Sequence, residues 1–93
     1  MKHVNISIKG KVQGVYFRLS TKAVADQLGI KGFVRNLADG SVYIEAEGDD
    51  FALDCLKEFC EEGPERAVVE EVICEEGVWE DFKNFEVLKK SSK

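Results

Sequence analysis

Proline, histidine and tryptophan each occur once in this chain, and cysteine only three times. With Pro64 alone, there is no proline-rich linker or extended recognition segment. With His3 alone, a structural zinc centre finds too few partners. His3 itself is expected as a solvated residue at a strand edge, without a chemical role. Cys55, Cys60 and Cys74 are odd in number and none has C-x-x-C spacing, so they read as small buried apolar residues. No apolar run approaches the ~20 residues that a membrane-spanning helix needs. Positive charge is also short: 13 Lys and Arg against 18 Asp and Glu leave a net charge of -5. That balance argues against a broad surface for nucleic acid or anionic membrane. The segment Met1–Val4 passes straight into strand-like alternation without an apolar signal core, so a cytoplasmic location is expected.

What the 93 residues do contain is enough apolar material, 44%, for one small core, so a single domain over 1–93 is expected. Its last residues, 89–93, form a polar tail expected to fray. Val4, Ile6 and Ile8 alternate with polar neighbours and predict a strand over about residues 3–10. The period then changes: Phe17, Val24, Ala25 and Leu28 share a helical face that Gly29 ends. A second strand is expected from Gly32 to Leu37. Asp39-Gly40 marks a hairpin, and Val42, Ile44 and Ala46 alternate in a third strand. Asp49 or Asp50 caps a second helix with an apolar stripe of Ala52, Cys55, Leu56, Phe59 and Cys60, ended by Gly63-Pro64.

The alternation slips in the next strand, Ala67 to Glu75, and a bulge near Glu70-Glu71 would restore its inward face. Phe85 and Val87 suggest a short final strand. This order predicts an α+β ferredoxin-like split βαβ sandwich, βαββαβ, with two helices on one face of an antiparallel sheet. The opposite face is expected to be polar and solvated.

Two segments carry chemistry. Gly10-Lys11-Val12-Gln13-Gly14-Val15-Tyr16-Phe17-Arg18 joins a strand to a helix through a turn with two glycines. Glycines let backbone N–H groups crowd around an oxyanion, a helix N-terminus adds partial positive charge, and arginine clamps an anion with a planar fork. Taken alone, an arginine at a helix start reads better as the partner of a surface carboxylate, since arginine is common and the first turn prefers acids. The second segment is Gly32-Phe33-Val34-Arg35-Asn36-Leu37-Ala38-Asp39-Gly40-Ser41-Val42, closed by Gly48.

Together these resemble the two signatures of the acylphosphatase family, G-x-V-Q-G-V-x-F-R and G-[aromatic]-V-x-N-x-x-x-G-x-V. The resemblance runs from the first strand to Phe85-Glu86-Val87. It implies metal-independent hydrolysis of the carboxyl–phosphate bond of small acyl phosphates, such as acetyl, carbamoyl or glyceroyl phosphates, to carboxylate and inorganic phosphate. The leaving carboxylate has a pKa near ~4 and needs no general acid, so no cofactor, metal or acid–base pair is expected. By the same resemblance, Arg18 grips the phosphoryl group. Backbone amides of Gln13, Gly14, Val15, Tyr16 and Phe17 complete the cradle, and Asn36 holds the attacking water. Leu37 stands where some relatives carry threonine, which leaves Ser41 as the candidate support for Asn36. Phe17 and Phe33 are expected to pack the core.

The expected state is a monomer without nucleic-acid or membrane partners. Other readings are a catalytically silent anion-binding or regulatory module of the same fold, an accessory domain of a larger carbamoyl-transferring protein, and an RNA-recognition domain. The last needs paired aromatics on the open sheet face, where Tyr43 is the evident candidate.

Overall fold

A computed structural model describes residues 1–88; the expected frayed tail at 89–93 lies outside the described residues. The elements run β1 (Lys2–Lys11), α1 (Phe17–Leu28), β2 (Lys31–Asn36), β3 (Val42–Gly48), α2 (Asp50–Glu62), β4 (Val68–Glu76) and β5 (Phe85–Val87). They form one sheet of order β4-β1-β3-β2-β5. The first four strands pair antiparallel, as expected, whereas β5 pairs parallel to β2 and makes the sheet mixed.

The period-two pattern of β1 sets the register. Ile6 stands opposite Ile44 and Ile8 opposite Val42, and Val34 meets Ile44 from the other side. These side chains face α1 and α2 and are fully buried, together with Phe17, Ala25, Leu56 and Cys60. Each buried Ile, Val, Leu or Phe among them contributes about 1.5–3 kcal/mol, so this layer holds the helices on the sheet. The stripe of α2 is rotated from the one expected: Leu53 is buried and Cys55 only half-buried. Of the cysteines, only Cys60 is a core residue; burial pushes its thiol up to about 12. All three are free thiols.

The slipped phase of β4 is a bulge. Lys9 pairs with Glu71 but Gly10 with Val69, which leaves Glu70 as the extra residue. Here the chains come so close that a Cβ on Gly10 would stand 2.2 Å from the Val68 carbonyl oxygen. Gly10 therefore serves the bulge rather than the anion cradle.

The open face departs from its expected solvation. The segment 77–84 runs over it from β4 to β5, held at its ends by Gly77 N–H to the His3 carbonyl (2.8 Å) and Gly32 N–H to the Asn84 carbonyl (2.8 Å). Beneath it His3 is only 4% exposed: Phe82 stacks on its ring, and β1 is an interior strand rather than an edge. Phe33 also lies on this face instead of in the core between the layers. Its ring meets Tyr43 at 6.1 Å and Phe82 at 5.8 Å.

Candidate active site

The link from β1 to α1 needs a tight reversal, and two residues take left-handed backbone to make it: Gly14 (φ 75°) and Tyr16 (φ 63°). Left-handed residues alternating with ordinary ones turn successive N–H groups to one side and make a concave anion site. None of the amides from Gln13 to Arg18 donates a hydrogen bond among the described residues. The first N–H groups of a helix have no partner within it, so α1 opens with donors to spare.

The two helix starts differ in how those donors are used. In α2 the Asp49 carboxylate accepts from the Ala52 N–H at 2.7 Å, and Asp50 adds negative charge. In α1 the capping position is Tyr16, whose side chain caps nothing, and the first turn has no acid. The positive end of the α1 dipole is left for something else.

Arg18 follows in the first turn, and its Nη1–H donates to the Leu88 carbonyl at 2.8 Å. The end of β5 thus orients the guanidinium. Across the same opening stands Asn36, the last residue of β2, on the helix-facing side of the sheet beside Val34 and opposite Val42. It is buried, 9% exposed, and its Oδ1 has no hydrogen-bond partner among the described residues. An unpaired buried acceptor costs about 1–3 kcal/mol, so it marks a place where a donor is meant to arrive.

Gly14, Tyr16, Phe17, Arg18 and Asn36 line one cavity of about 430 Å3 with Val12, Leu19 and Val87. Of the residues expected at the site, Gln13 and Val15 do not line it with their side chains: Val15 is in the core, 6% exposed. The Gln13 side chain has a different task that the sequence did not signal. Its Nε2 donates to the carbonyls of Leu37 (2.8 Å) and Ser41 (2.9 Å), tying the cradle loop to the hairpin that carries Asn36.

Ser41 is corrected as well. Its hydroxyl donates to Asp39 Oδ1 at 2.6 Å and its N–H to the same oxygen at 2.9 Å, so it closes the turn and does not support Asn36. Those two bonds, hydroxyl first, hold the Asp39 carboxyl below its ordinary value. Val87 and Leu88 are contributions that nothing in the sequence assigned to the site. Among the described residues no cluster of His, Cys, Asp or Glu could hold a metal ion.

The arrangement can grip an oxyanion from several sides and hold a water opposite it, without a titrating group. A family model described as Acylphosphatase matches residues 4–87. An acylphosphatase of Marinobacter nauticus is 56% identical over 72 residues, covering 77% of this chain and 78% of that protein. One of Thermotoga maritima is 46% identical over 87 residues, covering 94% of this chain and 97% of its own. The solved structure of an acylphosphatase from Coxiella burnetii matches with a TM-score of 0.90 at 39% identity, over 94% of this chain and 92% of that one.

Proposed function

The chain belongs to the acylphosphatase family, and we propose that it hydrolyses acyl phosphates in the cavity between the β1–α1 loop and the end of β2. The observation that carries the site is the unpaired, buried Oδ1 of Asn36 in the same cavity as Arg18 and the undonated amides.

The amides from Gln13 to Phe17 and the Arg18 guanidinium bind the phosphoryl oxygens. Asn36 accepts a hydrogen bond from the attacking water through Oδ1. An amide is no base at neutral pH, so its part is to place the water in line with the scissile bond. The water oxygen forms a bond to phosphorus as the bond from phosphorus to the carboxyl oxygen breaks. The electron pair leaves with the carboxylate, and the water's proton passes to a phosphoryl oxygen. The products are a carboxylate and dihydrogen phosphate, which together hold the two negative charges of the substrate. Charge spreads over the phosphoryl oxygens on the way, and the amides and Arg18 stand preorganised to receive it.

We read the chain as one domain, because one core joins the sheet to both helices, and as a monomer, which its net charge of -5 favours. Three free thiols suit a cytoplasmic, reducing location. No helix among the described residues is long and apolar enough to cross a membrane.

The test is release of phosphate from acetyl phosphate with a chelator present. Wild type turns over; Arg18→Ala loses both rate and phosphate binding; Asn36→Ala loses rate but still binds inorganic phosphate. Full activity in both variants would remove the assignment.

A further inference from the structure

The cavity exceeds the phosphoryl group it is built to grip. It measures about 430 Å3, whereas a phosphoryl group with its water fills on the order of 100 Å3 at ~30 Å3 per water-sized unit. The remaining wall is apolar, made by Val12, Tyr16, Leu19 and Val87, and Arg18 is the one charged side chain among its described lining residues.

The side chains of two of these wall residues are not used by the core. Tyr16 is 72% exposed and Leu19 is 60% exposed, although both border a concave site. They flank the start of α1, one as its capping residue and one in its first turn, and both line the same cavity. Tyr16 also holds a left-handed backbone, φ 63° and ψ 23°, which is strained for a bulky side chain and free of strain for glycine. Its ring neither caps the helix nor joins the core. A strained, exposed aromatic beside an anion cradle is placed for the molecule that the cradle holds.

On the premise of acyl phosphate hydrolysis, we propose that Tyr16, Leu19 and Val87 form the seat of the acyl group, and that this enzyme selects acyl phosphates with an apolar acyl group, aromatic or longer aliphatic. The wall touches the part of the substrate that changes least in the reaction. Its contribution is therefore equal in ground and transition states and is read in KM rather than kcat. Removing one apolar contact from a closed pocket changes selectivity by about tenfold or more, and a partly open wall belongs at the low end.

The experiment compares benzoyl and acetyl phosphate in steady-state kinetics with wild type, Leu19→Ala, Tyr16→Gly and Leu19→Phe. Wild type is expected to show a KM for benzoyl phosphate about tenfold below that for acetyl phosphate. Leu19→Ala and Tyr16→Gly each narrow that ratio by about threefold or more, with kcat for the two substrates still in proportion, and Leu19→Phe widens it. Equal KM values in wild type, or a ratio that none of the variants moves, overturn the acyl seat while leaving acyl phosphate hydrolysis intact. A wild type that hydrolyses neither substrate overturns the hydrolase reading itself, and this inference with it.

Discussion

Two buried polar clusters lie on opposite faces of the same sheet, and they treat their polar atoms in opposite ways. At the cavity, Asn36 Oδ1 and the amides from Gln13 to Arg18 have no partners among the described residues, and Tyr16 bears a strained backbone. On the far face, the Glu47 carboxylate accepts from His3 Nδ1–H (2.7 Å), from Glu80 N–H (2.5 Å) and from Phe82 N–H (2.9 Å). The other ring nitrogen, His3 Nε2, faces Asn5 Oδ1 at 2.9 Å and Glu45 Oε1 at 3.2 Å. All of these histidine partners are acceptors as they are placed, an arrangement that favours a proton on both ring nitrogens and raises the pKa of the ring. Burial does not separate the clusters, since both are buried; satisfaction does. In the far-face cluster the fold consumes the polar groups of His3 and Glu47, whereas Asn36 Oδ1 opens on the cavity; Arg35 Nε, also unpaired among the described residues, sits instead beside the rings of Phe33 and Tyr43.

The contrast predicts a clean separation of stability from activity. The largest effect belongs to Glu47→Ala, which strands the His3 charge and releases segment 77–84. Losing one partner of a buried ion pair costs about 3–5 kcal/mol, read in urea unfolding, while the folded fraction keeps its turnover at low temperature. Arg18→Ala is expected to do the reverse. Activity falls by about 10²–10³-fold, and stability by no more than the ~1 kcal/mol of one hydrogen bond to Leu88. Asn36→Ala sharpens the comparison further. Phosphate release drops by about 10²-fold because the water loses its place, yet the melting temperature does not fall, because the deleted oxygen has no partner among the described residues. A clear loss of stability in this variant would move Asn36 into the same class as Glu47.

This division explains what was legible in the sequence. Local rules wrote most of the fold. The alternation of Val4, Ile6 and Ile8, the cap at Asp49 and the slipped phase around Glu70 all reappear as β1, α2 and the bulge. The signature residues Gly14, Arg18 and Asn36 do converge on one cavity, although they come from a loop, a helix and a strand end. What stayed hidden depends on long-range packing. His3 read as a surface residue because nothing local announces that segment 77–84, more than seventy residues later, covers it. Ser41 read as a support for Asn36 because the sequence does not show that Asp39 claims its hydroxyl first. The orientation of Arg18 by Leu88 required the parallel pairing of β5 to be seen.

The smallest predicted effect tests whether His3 is charged, as the far-face geometry favours. Burial works against its charge, but the hydrogen bonds to Glu47 and Asn5 and the negative field of Glu45 and Glu47 outweigh it, so its pKa is raised above the ordinary 6.5. Burial likewise pushes the Glu47 carboxyl up, and the bond from His3 with the amides of Glu80 and Phe82 pulls it below the ordinary 4.5. A raised histidine contributes stability that is complete below 6.5 and is lost as pH climbs through the raised value. A lowered carboxylate contributes stability that is complete above 4.5 and is lost as pH drops through the lowered value. The two contributions are complete together between 4.5 and 6.5, so the pair contributes most there and declines on either side. One proton limits the alkaline slope to about 1.4 kcal/mol per pH unit. His3→Gln keeps a donor for Glu47 but cannot titrate, and it should flatten that slope in unfolding measured from pH 5 to 9 while lowering stability most at the acid end. An alkaline slope of the same size in wild type and variant would mean that His3 is neutral in the fold, and that the far face is satisfied by hydrogen bonds without charge.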